Sequence, residues 1–183
     1  MMLYYNVIPS PFGDIGLLWK WKSGVPSVAR ILLPRGGGGH EDFSREHGFD
    51  LLRKSVPVIE QISAKISLYL EGKTVAFSLS LVDLDSCYEF QKKVLLAEAG
   101  IPRGRVSSYG ALAPRVGSPR AARAVGTALA RNPFPIIIPC HRTVRSDGSL
   151  GGFAGGWGMK RAFLEMEGVR FDSKGRVKKE FFF

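Results

Sequence analysis

Asn132-Pro133-Phe134-Pro135-Ile136-Ile137-Ile138-Pro139-Cys140-His141-Arg142 is the stretch on which the reading of this chain depends. Its three prolines fix φ and remove backbone donors, so the run is neither a helix nor an ordinary central strand. The apolar residues between them predict a stiff, extended, buried lead-in that presents one thiol, Cys140, beside one imidazole, His141. A free thiol titrates near ~8.5 and burial raises that value, so Cys140 is inert unless a neighbour promotes its thiolate. Adjacent residues of an extended chain point to opposite sides, so His141 needs a turn at Cys140 or a bridging water to act on the sulfur. On residue types alone, a buried structural cysteine is an equal reading.

Downstream, the spacing of Met159, Phe163 and Met166 predicts a final helix over about 158–167. Glu167 falls four residues after Phe163, toward the same face, and just before Gly168, where the helix dipole disfavours a carboxylate. A partner there would be His141, giving thiol, imidazole and carboxylate in the order that activates a nucleophile. The other reading is an exposed glutamate at a frayed helix end. The intervening Ser146–Trp157 run is rich in glycine, which lets backbone approach a flat ligand with Phe153 as a wall, or makes a plain flexible loop.

Upstream, Ser108 precedes a short helix, Tyr109–Ala113, which Pro114 stops; Gly117 turns the chain, Ser118 caps and Pro119 opens a second helix to about Arg131. This is a helix-turn-helix outline. The second helix carries small side chains with Arg120 and Arg123 as long cations, which suits close approach to nucleic acid or tight packing within the protein. Before it, Asp83–Ser86 reads as a link and helix cap, and a helix over Cys87–Ala99 sets Phe90, Val94 and Ala97 inward. Cys87 is either a thiol activated by that helix start or a spectator.

The first half reads as a small α/β unit. Strands are expected over Tyr4–Ile8, from Ile15, over Val28–Leu33 and over Val75–Val82, with a helix over Val58–Leu70 whose inner face is Ile59, Ile62, Ile66 and Tyr69. Gly36–Gly39 and the polar residues to Asp50 read as a loop, with His40 and His47 as exposed histidines. Gly72-Lys73-Thr74 imitates the end of a Walker loop, but Ser67 stands where its glycine belongs. The fold class is α/β: an N-terminal α/β (ribonuclease-H-like) domain, residues 1–84, and a mainly helical C-terminal domain, residues 85–183.

Residues 1–87 carry nine Lys and Arg against nine Asp and Glu, and residues 88–183 seventeen against seven, so the whole formal charge of +10 lies in the second part. A basic half beside a neutral one points to a polyanion partner, or to a merely soluble basic surface. Two cysteines far apart offer neither a disulfide framework nor zinc spacing, and no run reaches the length of a membrane span. The expectation is a soluble monomer, cytoplasmic or, in a eukaryote, nuclear, with no metal and no cofactor.

Pro139-Cys140-His141-Arg142, Ser118–Gly126, Asn132-Pro133 and Gly151–Gly156 together closely resemble the O6-alkylguanine-DNA alkyltransferases, over about Phe90–Gly168 in order and at family spacing. The first half is similar more loosely, through Ser10-Pro11-Phe12-Gly13 and Tyr69-Leu70-Glu71-Gly72. The resemblance implies a protein that binds double-stranded DNA, flips O6-alkylguanine out through the minor groove and moves the alkyl group to its own cysteine, once per molecule. It implies Cys140 as nucleophile, His141 as base through a water, Glu167 as the holder of the imidazole, Asn132 as a brace of the turn, and Tyr109 as proton donor to the departing guanine. It implies that Arg123 fills the gap in the base stack, that Arg120, Ala122, Thr127 and Ser118 meet the DNA, and that Phe153, Ala154 and Gly155 form the base pocket. Some relatives carry Tyr-Ser where this chain has Phe153-Ala154, which removes a hydroxyl contact to the guanine, and some bind zinc in the first domain, for which no ligand set exists here. Two further readings use the same residues: a lesion sensor that holds the flipped base without transfer, although such relatives lack the cysteine, and a thiol hydrolase built on Cys140, His141 and Glu167.

Overall fold

The computed structural model describes residues 2–34 and 51–183, the side chain of Leu51 excepted, so the expected Gly36–Gly39 loop, His40 and His47 lie outside the described residues. The chain divides into two compact units, Met1–Ser86 and Cys87–Phe183.

The first unit is a four-stranded mixed sheet, β1 (Leu3–Ile8), β2 (Ile15–Lys22), β3 (Val25–Leu32) and β4 (Leu51–Arg53), in the order β3-β2-β1-β4. β2 runs antiparallel to both neighbours and β4 is parallel to β1. The Ser10–Gly13 turn closes with Gly13 N–H donating to Ser10 C=O at 3.1 Å, and Gly13 takes a φ of +110°, which a side chain would oppose. Ile15, Leu17, Leu18 and Trp19 of β2 are all buried, so this central strand is covered on both faces. Helix α1 (Pro57–Leu70) opens on Pro57, where the missing N–H costs nothing, and buries Ile59, Ile62, Ile66 and Tyr69, the expected face.

The expected strand over Val75–Val82 does not form. Leu79–Leu81 is a 3-10 turn capped by the Ser78 hydroxyl, and only Val82 makes a bridge, with Val28. Serine side chains that bond their own backbone compete with a ladder, and here they prevail. The expected cap at Asp83–Ser86 is also absent: Asp83 is buried and holds Lys20 at 2.5 Å and Lys22 at 2.6 Å instead.

In the second unit, α2 (Glu89–Ala99) begins after Tyr88, which makes no side-chain cap, and Cys87 is half-buried outside the helix. Its buried face is Gln91, Val94, Leu95 and Glu98: Val94 is inward as expected, while Phe90 and Ala97 are only half-buried. Gln91 can face inward because its amide donates to the carbonyls of Ala128 (3.1 Å) and Arg131 (2.9 Å). α3 (Tyr109–Arg115) starts at a true cap, Ser108 Oγ accepting from Ala111 N–H at 3.1 Å, and runs past Pro114, which sits in its last turn. α4 is Ala122–Ala130, shorter than expected, because Ser118–Ala121 forms its own turn, Ala121 N–H donating to Ser118 C=O at 2.9 Å, and Ala121 rather than Ser118 occupies the cap position. α5 spans Gly156–Met166 and ends at Glu167.

Two very short strands organise this unit: β5 (Ser107–Ser108) lies parallel to β6 (Thr143–Val144). They bring the start of α3 beside the segment that leaves Cys140. The basic tail after Gly168 is packed against the same place: Val106 N–H donates to Phe181 C=O at 2.9 Å, Phe183 N–H to Val106 C=O at 2.8 Å, and Phe171, Phe181 and Phe182 cover Val106, Val144, Leu164, Val169 and Val177.

Candidate active site

The proline-rich lead-in is buried but not extended. Ile138 N–H donates to Phe134 C=O at 2.8 Å, so the chain coils, and Ile136 adopts a φ of +73°, unusual for a β-branched residue. Three prolines deny the segment a strand partner, and Asn132 closes it instead, accepting from Phe134 N–H at 2.9 Å and donating to Ile138 C=O at 2.9 Å. The coil delivers the chain into a 3-10 turn, Cys140–Arg142.

Cys140 is buried, and burial pushes its thiol up to about 11, with the charge of Glu98 adding to the rise and a hydrogen bond from Asn132 and the cation of Lys160 opposing it. The sulfur's residue lines a cavity of about 260 Å³ together with Tyr109, Gly126, Leu129, Ala130, Arg145 and the Gly151–Ala154 loop. Its walls therefore come from α3, α4 and the glycine-rich run.

His141 and Glu167 are both buried, with Nε2 and Oε1 3.0 Å apart. Arg142 clamps the same carboxylate, Nη2 to Oε1 at 2.8 Å and Nε to Oε2 at 2.9 Å. Burial works against the charge of Glu167, but the hydrogen bonds from His141 and Arg142 win and hold it well below the usual carboxylate range. An ionised carboxylate only accepts, so Nε2 of His141 carries the hydrogen and Nδ1 is the basic nitrogen. Burial, stronger here than the pull of Glu167, holds the imidazole below its ordinary pKa and so neutral at pH 7. Phe153 and Phe163 stand edge-on to the ring, with centroids 6.3 and 5.3 Å away.

Tyr109 opens α3 and is half-buried; burial, then the charges of Glu98 and Cys140, raise its phenol above the ordinary value. A Cβ placed on Gly151, whose φ is +70°, would lie 2.7 Å from the Tyr109 hydroxyl, so glycine is what lets the loop touch the phenol. Phe153 is half-buried at the cavity, Ala154 exposed at its rim, and a Cβ on Gly155 would meet Met159 Sδ at 2.3 Å, so a side chain there would have to push that flexible thioether aside.

On α4, Val125, Ala128 and Leu129 face inward while Arg123 and Thr127 are exposed, the Thr127 hydroxyl donating to Arg123 C=O at 3.1 Å. Ala122 is half-buried at the helix start, and Arg120 and Ser118 lie in the preceding turn, the first exposed and the second half-buried. The structure thus gathers Cys140, His141, Glu167, Asn132, Tyr109 and Phe153 around one centre and leaves Arg120, Arg123 and Thr127 on an outer face. Sequence reading missed Arg142, Arg145, Leu129, Ala130, Glu98 and Lys160; only Arg142, beside the thiol and basic, carried any signal. Among the described residues no group of three or more His, Cys, Asp or Glu side chains is placed to hold a metal ion, and no helix is long and apolar enough to cross a membrane.

The family model for the DNA-binding domain of 6-O-methylguanine DNA methyltransferase matches residues 89–169. A methylated-DNA–protein-cysteine methyltransferase of Methanothermobacter thermautotrophicus is 40% identical over 166 residues, 90% of this chain and 85% of that protein. One from Mycobacterium tuberculosis is 37% identical over 169 residues, 92% and 94% of the two chains. Crystal structures of the M. tuberculosis O6-methylguanine methyltransferase superpose with a TM-score of 0.73 at 32% identity, covering 94% of this chain and 96% of that one. M. tuberculosis OGT in complex with DNA gives 0.70 at 33% identity, covering 90% and 92%. The buried thiol at the edge of a cavity, with its imidazole and carboxylate, stands within a chain that belongs to the methylated-DNA–protein-cysteine methyltransferase family.

Proposed function

We propose that this protein repairs DNA by moving the alkyl group of O6-alkylguanine to its own Cys140, stoichiometrically and irreversibly, as a monomer acting in the cytoplasm, or the nucleus of a eukaryote. The observation that carries the reading is that Cys140 borders a cavity of about 260 Å³, wide enough for one flat base, whose other walls are Tyr109, Phe153 and the small residues of α4. The likeness to a relative crystallised with DNA supports duplex DNA as the partner.

In this reading residues 1–84, within the first unit, form a structural domain of ribonuclease-H-like type, supported by the strand order β3-β2-β1-β4 with β4 parallel to β1. Residues 85–183 bind DNA and carry the chemistry. α3 and α4 act as a helix-turn-helix unit whose second helix enters the minor groove, only ~6 Å wide, which small side chains permit. Arg120, Ala122, Thr127 and Ser118 meet the backbone and groove, and Arg123 takes the place of the flipped base. Extrusion costs a few kcal/mol, which the inserted guanidinium offsets in part.

Once the base is seated against Phe153, Ala154 and Gly155, the thiol proton passes through a water to Nδ1 of His141, which Glu167 orients through Nε2. The sulfur attacks the alkyl carbon, the S–C bond forming as the C–O6 bond breaks. Tyr109 gives a proton to the departing guanine, and Asn132 keeps the turn and sulfur in line. Burial raises the resting thiol to about 11, so transfer depends on removal of its proton by His141. No metal or cofactor enters any step.

The test is intact-mass analysis after incubation with a duplex containing O6-methylguanine. One methyl on the peptide bearing Cys140, at one equivalent per protein, is the expected result; an unchanged mass, or an adduct on Cys87, sinks the reading. Tight lesion binding with unaltered DNA would instead favour a sensor.

A further inference from the structure

Behind the thiol lies a second set of buried ionisable groups that the transfer chemistry does not use. Glu98 of α2 and Lys160 of α5 are both 0% exposed. They meet on one residue: the Thr143 hydroxyl donates to Glu98 Oε2, and Lys160 Nζ donates to Thr143 C=O at 2.6 Å. Lys160 also donates to Gly152 C=O at 3.2 Å. Thr143 is the first residue after the Cys140 turn and Gly152 lines the cavity, so this pair grips the two backbone segments that flank the sulfur.

Glu98 is a poor choice for packing alone. Its Oε1 is buried without a hydrogen-bond partner among the described residues. A carboxylate oxygen left dry costs free energy that an apolar side chain of similar volume would avoid. The groups that face it are Lys160 from α5, Arg142 and Cys140 from the turn, and Tyr109 from α3. Burial raises Glu98 to about 7, with Thr143, Lys160 and Arg142 opposing, and burial lowers Lys160 to about 8.

We propose that Glu98 is a positioning residue for the Cys140 thiol: anchored by Thr143 and set against Lys160, its carboxylate offsets the buried ammonium and governs how readily the sulfur ionises. The inference rests on Cys140 being the reacting group. When Glu98 is protonated, the Lys160 cation alone acts on the sulfur and favours the thiolate. When Glu98 ionises, the cation is cancelled and the thiolate is disfavoured. The site thus restrains its own nucleophile as pH rises, opposite to an isolated thiol.

The experiment compares wild type with Glu98→Gln, which keeps shape and an acceptor for Thr143 but has no charge. Cys140 is labelled with iodoacetamide, the thiolate displacing iodide, and labelling is read by peptide mass so that Cys87 is scored separately. The ratio of variant to wild-type rate is expected near one at about pH 6 and several-fold by about pH 7.5, since the wild-type carboxylate titrates near 7 while Lys160, near 8, is still mostly charged over that window. A ratio constant with pH, whatever its size, means a structural role and overturns the proposal, as does a ratio that falls. Glu98→Leu is expected to move the ratio the same way. Should neither variant fold, the wild-type rate itself is diagnostic: a climb well short of tenfold per pH unit across that window supports the restraint, and a full tenfold climb overturns it. Transfer from O6-methylguanine duplex is measured in parallel; loss of transfer with a rising labelling ratio removes the repair reading and leaves this inference standing.

Discussion

Arg142 and His141 share one carboxylate: Oε1 of Glu167 lies 2.8 Å from Nη2 of the first and 3.0 Å from Nε2 of the second. The guanidinium, not the imidazole, is the counter-ion. With Arg142 paying the charge of Glu167, His141 stays neutral and available as a base despite sitting against a carboxylate. A thiol–imidazole–carboxylate set without Arg142 would tend to leave a buried charge unpaired or a permanently protonated histidine.

Replacing Glu167 with Gln should therefore damage more than orientation. Arg142 is left with a neutral partner in a mostly buried place, a loss of roughly 3–5 kcal/mol for a broken buried pair. Because the folded carboxyl titrates below its unfolded value, its stabilisation is full above the ordinary carboxylate pKa and disappears as pH falls through the depressed one. The gap in thermal midpoint between wild type and Glu167→Gln is expected to be wide at pH 7 and to narrow steadily below about pH 4.5. A gap unchanged by acid would show that the carboxylate is not ionised in the folded protein.

Asn132→Ala removes both ends of the clasp on the coil before Cys140. Two hydrogen bonds of this kind contribute about 2 kcal/mol together. The thiol also loses a hydrogen bond that lowers its pKa, so iodoacetamide labelling of Cys140 should slow at every pH below its titration. Asn132→Asp, which can still accept from Phe134 N–H but sets a carboxylate against Ile138 C=O and the sulfur, should label more slowly than Asn132→Ala. Unchanged stability and labelling in Asn132→Ala would show that the prolines alone hold the turn.

Gly151→Ala tests the contact with Tyr109. The residue needs a positive φ, and its new Cβ would stand 2.7 Å from the phenol oxygen. The strain costs about 1 kcal/mol, and the ring must move. Transfer from damaged duplex is expected to drop at least tenfold, about 1.4 kcal/mol in the barrier, while affinity for undamaged duplex stays within about twofold. Equal losses in both would make Gly151 a folding residue only.

The parts legible in the sequence were those where one residue type has one physical use. Ile59, Ile62, Ile66 and Tyr69 at helical spacing pointed to one buried face, and Glu167 at a helix C-terminus, where the dipole disfavours a carboxylate, pointed to a partner over a frayed, exposed end. What stayed hidden depended on pairing across the chain. Gln91 and Glu98 look like surface residues of α2 until the carbonyls of Ala128 and Arg131 and the hydroxyl of Thr143 arrive from more than thirty residues away. The coil at Ile136 was missed for the opposite reason: prolines exclude helix and sheet, but only the side chain of Asn132 decides between an extended run and a closed turn.

Arg123 gives the cleanest separation of DNA handling from thiol chemistry. It is exposed on α4, so Arg123→Ala should alter stability by no more than about 0.5 kcal/mol. If its guanidinium fills the gap left by the flipped base, its loss raises the cost of extrusion and slows transfer from duplex by roughly 10- to 100-fold, 1.4 to 2.8 kcal/mol. The same variant should react normally with O6-benzylguanine as a free base, which needs no extrusion, and label normally with iodoacetamide. A simple phosphate contact would behave differently: affinity would weaken evenly across sequences, the salt slope would fall by about 1, and transfer at saturating DNA would be unchanged. A slowdown equal on duplex and free base would remove Arg123 from the flipping step and place its effect in the pocket wall formed by Gly126, Leu129 and Ala130 of the same helix.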